Sequence, residues 1–232
     1  PNWWIGFENQ TLQILVKGEK INQYNVSVDY PGVSLKQIHK ADSENYLFVD
    51  LNISNLSEPG IFKLKFKSAN RELEYNYKLD NKRNLNEQNN GFDSSDVIYL
   101  ITPDRFANGN YSNDIVKGLK EDRINRDDNY ARHGGDLQGI TDNIDYLKDM
   151  GFTSLWLNPV LINDMKEGSY HGYATTDYYT VDPRLGTMED YLNLSTIAEK
   201  NNIKLIKDII VNHCGLYHWW MDDLPFDDWL NF

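Results

Sequence analysis

Between Leu12 and Leu79 apolar and polar residues mostly alternate in short runs. The runs are Leu12–Lys17, Tyr24–Tyr30, Val33–Ile38, Tyr46–Ile53, Ile61–Phe66 and Glu72–Leu79. A period of two is that of a half-buried strand. Phe62, Leu64 and Phe66 give the cleanest dry face, with lysines between them. The turn pairs Pro31-Gly32 and Pro59-Gly60 separate some of the runs. Several short strands at regular spacing, without a helical period, predict an immunoglobulin-like β-sandwich over residues 1–80. No acid, base or ligand cluster falls in this stretch, which reads as a module without a site.

Residues 81–95 are polar and nearly free of apolar side chains, and predict a linker. Beyond them the pattern changes. Val97–Ile101 and Thr153–Leu157 are continuous apolar runs, and Lys204–Val211 is β-branched at its centre, as buried parallel strands are. Helical spacing links Ile140, Ile144, Leu147 and Met150 within Leu137–Met150, before a stop at Gly151. A second amphipathic helix is predicted over Met188–Asn201, with Thr187 as N-cap and Asp190 closing a capping box. Strand, helix, strand, helix, strand implies a parallel sheet with right-handed crossovers. Loops after the strands are long and polar, while those after the helices are short. That asymmetry puts the working surface at the strands' C-terminal ends, as in a (β/α) barrel. A whole barrel takes about 250 residues, so residues 96–232 have room for its first three βα units only. The predicted fold class is therefore multidomain β plus α/β: an immunoglobulin-like sandwich followed by the start of a (β/α)8 TIM barrel. The expectation is the N-terminal portion of a longer enzyme.

Charge and composition narrow the function classes. A formal charge of −12 disfavours a protein that neutralises a nucleic-acid backbone. No apolar run reaches the length of a membrane-spanning helix. The single cysteine, Cys214, excludes an internal disulfide and leaves the compartment open. The start at Pro1-Asn2-Trp3-Trp4 suits a mature secreted chain or a trimmed one. Aromatic residues make up 13% of the chain, a content that suits sugar-binding clefts and packed cores alike.

Candidate chemistry lies in the loops after the predicted strands. Asn and Asp oxygens crowd the glycine-bent stretch from Asn108 to Asp114, and His133-Gly134-Gly135-Asp136 follows. Such oxygens suit a hard cation such as Ca²⁺, although the letters also describe an Asn-Gly turn with solvated side chains. The loop after the second strand carries Tyr170-His171-Gly172-Tyr173, which offers a flat ring face and hydroxyl donors, or loop aromatics packed on a barrel rim. At the third strand, alternation predicts that Asp208, Ile210 and Asn212 share a face, with His213 next. A carboxylate there implies a polar partner or a site, or a solvated strand end with a capping Asn. His171, His213 and His218 lack zinc-helix spacing, and there is no phosphate loop or nucleophile elbow.

Six stretches in order, Asp104-Arg-Phe106, Gly134–Gly139, Gly151–Pro159, Tyr170–Tyr173, Asp182–Thr187 and Asp208–His213, resemble the α-amylase superfamily of glycoside hydrolases. The opening module, with Trp4-Ile-Gly6, Leu12–Leu15 and Asn45–Leu51, resembles the N-terminal domain of its cyclomaltodextrinase and neopullulanase branch. The resemblance implies that Tyr173 stacks on the glucose just before the cleaved bond and that His171 and His213 hydrogen-bond that ring. It implies that Asp208 supports an arginine beside the nucleophile. Asn212 would brace its loop, or ligate calcium in relatives that keep that second site. It further implies a structural Ca²⁺ held by Asn108, Asn110, Asn113, Asp114, the Gly134 carbonyl and Asp136. Asn108 departs from the Asp that cyclodextrin glucanotransferases often carry, which leaves one charge fewer.

The implied mechanism is retaining, with a nucleophilic Asp, an acid/base Glu and a further Asp that grips the sugar. Relatives carry these after later strands, so no catalytic acid is expected within residues 1–232. The implied activity is hydrolysis of α-1,4-glucosidic bonds in maltodextrins, cyclodextrins or pullulan by the longer protein. The alternative is a glucan-binding or dimerisation fragment without catalysis. Implied partners are α-glucan oligosaccharides and a second copy through the sandwich, with no nucleic acid. The implied location is periplasmic or secreted, the cytoplasm remaining open.

Overall fold

The computed structural model describes residues 2–82 and 91–231. Most of the predicted linker, residues 83–90, lies outside the described residues. The chain divides into two compact units, Pro1–Asn89 joined by Asp222–Phe232, and Asn90–Met221.

The first unit is a sandwich of two sheets. Strands β1 (Asn2–Trp4), β3 (Asn25–Val28), β6 (Gly60–Lys67) and β7 (Glu72–Asp80) form a sheet in the order β1-β7-β6-β3. Strands β2 (Thr11–Lys17), β4 (Val33–Lys40) and β5 (Tyr46–Ile53) form the other, in the order β2-β5-β4. Alternate residues of both sheets meet in one core, including Leu47, Val49 and Leu51 from β5 and Phe62, Leu64 and Phe66 from β6. The period-two reading of Phe62–Phe66 is thus the buried face itself.

One difference concerns the C-terminal stretch, which the sequence assigned to the barrel. Residues 222–231 pack with the sandwich instead. Phe226 stacks on Phe48 at 5.6 Å and Trp229 lies 5.9 Å from the same ring. The Tyr46 hydroxyl donates to the Asp223 carbonyl at 2.7 Å. Burial, helped by the nearby Asp223 carboxylate, pushes the Tyr46 phenol up to about 12, so it remains a donor. An aromatic shelf on β5 therefore gathers a tail whose own pattern has no period.

The second unit contains a three-stranded parallel sheet, β12-β9-β8, made of β8 (Ile98–Ile101), β9 (Ser154–Leu157) and β12 (Lys204–Lys207). Its first crossover carries helices α1 (Pro103–Phe106), α2 (Leu137–Asp142) and α3 (Ile144–Asp149), and its second carries α4 (Met188–Lys200). One sheet face, bearing Tyr99, Ile101, Leu155, Leu157 and Leu205, packs with these helices. The other leaves Ile98, Leu100 and Trp156 between 40% and 51% exposed. At the strands' N-terminal ends Lys204 pairs with Asp96 at 2.7 Å. The Lys204 hydrogen bond, followed by those from Asp93 and Thr153, holds the Asp96 carboxyl at about 2.

Three local expectations change. The single helix over Leu137–Met150 breaks at Asn143 (φ −110, ψ 18), whose side chain donates to the Gly139 carbonyl at 2.7 Å. An amide that bonds the backbone four residues earlier competes with regular helix geometry there. The third strand ends at Lys207, not Val211. Its partner β9 ends at the paired Leu157, where Asn158-Pro159 turns away, and proline cannot extend the ladder. The strand alternation proposed for Asp208, Ile210 and Asn212 therefore does not apply. Finally, a hairpin absent from the sequence reading joins β10 (Leu161–Ile162) to β11 (Asp177–Val181). The capping box at Thr187 forms as read: its hydroxyl accepts from Asp190 N at 3.2 Å, and Asp190 Oδ2 accepts from Thr187 N at 2.7 Å.

Candidate sugar-binding site

The loops that follow β8, β9 and β12 all leave the same end of the parallel sheet. The second loop makes a tight turn at Ser169–His171, flanked by Gly168 and Gly172 with φ of 71° and 82°. That turn sets His171 and Tyr173 side by side, their rings 5.8 Å apart and inclined by 26°. The Tyr173 amide donates to His171 Nδ1 at 2.9 Å. An Nδ1 that accepts fixes the neutral tautomer with hydrogen on Nε2. Burial lowers the His171 pKa and the charge of Glu121 partly offsets it, so at neutral pH the ring is an uncharged donor.

Asp208 follows directly on β12 and joins this pair. Its Oδ2 accepts from the Tyr173 hydroxyl at 3.1 Å and from the Trp156 indole N–H at 3.1 Å. Burial, then the hydrogen bond and charge of Asp208, raise the Tyr173 pKa, which keeps the phenol protonated and donating. His213 Nε2 donates to the Tyr173 carbonyl at 2.9 Å, and the Tyr178 hydroxyl donates to the His213 carbonyl. Asn212 reaches the group only through His213, its Nδ2 lying 3.3 Å from that ring's Nδ1. The structure therefore brings His171, Tyr173, Asp208 and His213 together, while Asn212 is exposed at the edge. A ring face with neutral donors and one carboxylate acceptor suits a polyol, whose hydroxyls both give and take hydrogen bonds.

Several participants escaped the sequence reading. Trp156 was legible only as a strand residue, though its alternation with Leu155 and Leu157 sends it to the face opposite the helices. Tyr178 carries no local signal, while Asn158, whose Nδ2 donates to the His171 carbonyl at 3.2 Å, and Arg105, stacked 3.9 Å from the Tyr170 ring centre, stand in quoted motifs that gave them no role.

The first loop winds about two carboxylates. Asp104 accepts from His133 N and Gly134 N, and pairs with Arg105 at 3.2 Å and Arg132 at 3.5 Å. Asp136 accepts from Gly109 N, Asn110 N and Gly139 N, which caps α2 and closes the loop. Asn110 Oδ1 is taken up by Ser112. Asn108 Nδ2 donates to Asp114 Oδ1 at 2.7 Å, and the buried oxygens Asn108 Oδ1 and Asn113 Oδ1 have no hydrogen-bond partner. A Cβ on Gly134 would lie 2.9 Å from both Asn108 Nδ2 and Asp114 Oδ1, so amide, carboxylate and glycine backbone converge. Orphaned amide oxygens beside a carboxylate fit a hard cation that prefers oxygen ligands. Among the described residues no group of three His, Cys, Asp or Glu side chains could hold a metal ion, so this donor set has one carboxylate and is otherwise amide and carbonyl oxygen.

A parallel βαβ run with a polar, aromatic surface at the strand ends defines the second unit as part of a (β/α) barrel. The profile described as "Alpha amylase, catalytic domain" matches residues 100–225, and that described as "Cyclomaltodextrinase, N-terminal" matches residues 1–84. The chain belongs to the alpha-amylase family, with a cyclomaltodextrinase-type sandwich ahead of a partial catalytic domain. A beta/alpha-amylase of Paenibacillus polymyxa is 45% identical over 53% of this chain and 10% of its own length. A cyclomaltodextrinase of Thermoanaerobacter pseudethanolicus is 38% identical over 58% of this chain and 24% of its own length. A crystal structure of an Anoxybacillus alpha-amylase superposes with a TM-score of 0.50 at 44% identity, over 55% of this chain and 26% of that one. The chain thus spans a quarter or less of the length of these curated relatives. Among the described residues no helix is long and apolar enough to cross a membrane.

Proposed function

We propose that this chain is the N-terminal part of a retaining glycoside hydrolase that cleaves α-1,4-glucosidic bonds in maltodextrins, cyclodextrins or pullulan. Its share of the work is to grip the glucose unit just before the cleaved bond. The observation that carries this reading is the convergence of His171, Tyr173, Asp208 and His213 at one end of the parallel sheet. Tyr173 supplies a ring for the apolar face of the sugar, and His171 Nε2 a neutral donor for a hydroxyl. Asp208 is engaged by Tyr173 and Trp156 through one oxygen, which suits a supporting carboxylate more than a nucleophile. The nucleophile, the acid/base and the third carboxylate come from later barrel strands, whose side chains would also cover the exposed face of Ile98, Leu100 and Trp156. The names of the relatives, a cyclomaltodextrinase and an amylase among them, support the substrate class. The test is reducing-sugar release from maltoheptaose, β-cyclodextrin and pullulan by the polypeptide that carries the remaining strands. Release from at least one is expected, and none from any of them defeats the proposal.

Calcium is the cation proposed for the first loop, held by Asn108, Asn113, Asp114 and the Gly134 carbonyl, with Asn110 and Asp136 shaping the loop around it. It would supply structural cross-linking and no chemistry. A cation that binds only the folded state stabilises it by about 2.7 kcal/mol at a hundredfold excess over its dissociation constant. Saturating Ca²⁺ is therefore expected to raise the melting temperature, EDTA to reverse the rise, and Asp114→Ala to abolish it. An unchanged melting temperature would remove the site.

A further inference from the structure

Glu121 lies in the loop between β8 and α2 and is 5% exposed. Its Oε2 accepts from the Ser169 amide at 2.8 Å, across 48 residues of sequence. Its own carbonyl accepts from Arg184 Nη1 at 3.3 Å. Burying a carboxylate is costly, and a single amide donor does not require one, since a neutral acceptor would serve. Arg184 and Arg132, both buried, feel its charge, yet neither forms a recorded side-chain ion pair with it among the described residues.

What Ser169 begins gives the arrangement its sense. The turn Ser169–His171 hangs between two glycines in the left-handed region, where the backbone is permissive. Fixed bonds elsewhere must hold it. Glu121 takes the Ser169 amide, Asn163 Nδ2 donates to the Ser169 carbonyl at 3.0 Å, and Asn158 Nδ2 donates to the His171 carbonyl at 3.2 Å. Asn163 is itself gripped: its amide donates to Asp182 Oδ2, and its carbonyl accepts from Arg184 Nη2. The brace therefore runs from a buried ion pair to the turn that carries His171.

We propose that Glu121 is a positioning residue for the sugar wall: its buried carboxylate anchors the entrance of the Ser169–His171 turn and so places the His171 ring that the turn carries. The sugar half of this proposal rests on the glucan reading above. The rings against His171 are Tyr170 and Tyr173, with Arg105 stacked on Tyr170 and Asp208 bonded to Tyr173. Glu121 opposes the lowering that burial causes at His171, so removing its charge moves the His171 titration to lower pH.

The test uses the 232-residue chain, with the His171 ring titrated by NMR and maltoheptaose affinity measured by calorimetry. Glu121→Gln keeps an acceptor of the same shape and removes the charge. It is expected to lower the His171 midpoint and to weaken maltoheptaose binding about threefold to thirtyfold. Glu121→Asp keeps the charge but shortens the reach, and is expected to fall between the parent and Gln in both readouts. This second variant serves if the first does not fold. A His171 midpoint unchanged in Glu121→Gln overturns the proposal, because a merely structural acceptor would leave it unmoved; if only Glu121→Asp folds, a parent-like maltoheptaose affinity overturns it. If the parent chain itself binds no maltoheptaose, the reading that these loops grip the sugar by themselves fails, and the His171 midpoint alone decides the role of Glu121.

Discussion

Asp182→Ala is expected to destabilise the second unit by about 3–5 kcal/mol, the usual cost of leaving a buried charge without its partner. Asp182 is 2% exposed, and it grips Arg184, 0% exposed, through Nε at 2.9 Å and Nη2 at 2.7 Å. Alanine would strand that guanidinium, release the Asn163 amide and loosen the support of the Ser169–His171 turn. Burial alone would raise the Asp182 pKa, but the hydrogen bonds and charge of Arg184, with Arg132 beyond it, hold it below the ordinary carboxylate value. The folded-state pKa is therefore below the unfolded one. The stabilisation is fully present above the unfolded value of about 3.9 and is lost as pH falls through the folded value. Urea unfolding at pH 7 and at pH 3 reads both effects. A loss under 1 kcal/mol at pH 7, or an Asp182→Ala penalty that grows with acid, would contradict this account.

Gly172→Ala is the second large effect. Gly172 has φ of 82°, and a Cβ there would lie 2.1 Å from the Pro159 carbonyl oxygen. The conformation strains any L side chain, and the oxygen belongs to backbone that cannot swing aside. The expected cost is roughly 2–4 kcal/mol of stability, with displacement of His171 and Tyr173 on either side. Maltoheptaose affinity should fall by at least about tenfold, since 1.4 kcal/mol suffices for that. Thermal unfolding and calorimetry check the two halves separately. Parent-like affinity in a folded Gly172→Ala chain would show that the turn does not position the sugar contacts.

Several features were legible because a local rule and the tertiary context agree. The Thr187 capping box is written in adjacent letters and forms as written. The β5 and β6 strands follow their alternation because one face of each meets a core. Where the two levels part, the sequence misleads. Leu137–Met150 keeps its apolar spacing straight through Asn143, and only the side-chain bond to Gly139 reveals the break. Lys204–Val211 carries Ile206, Ile209, Ile210 and Val211, as a strand would, but a strand extends only as far as its neighbour pairs, and β9 stops at Leu157. The β10–β11 hairpin stayed hidden because one strand is two residues long and the pairing shifts register at Leu161/Ile162.

The candidate site divides in the same way. His171, Tyr173, Asp208 and His213 stand in short recognisable motifs, so the resemblance could name them. Glu121 and Trp156 act across 48 and 52 residues of sequence through single hydrogen bonds, which leave no trace in spacing. Asn108 and Asn113 were readable as cation donors by type, but that their oxygens lie buried without partners is a fact of three dimensions.

The central claim is that side chains from the ends of β9 and β12 form one wall that grips glucose. Titrating the isotopically labelled chain with maltotriose, and following ring and indole resonances, tests it most directly. The account predicts saturable shifts concentrated at His171, Tyr173, His213 and the Trp156 indole N–H, with the sandwich resonances unmoved. Shifts confined to the sandwich, or none at saturating sugar, would contradict it.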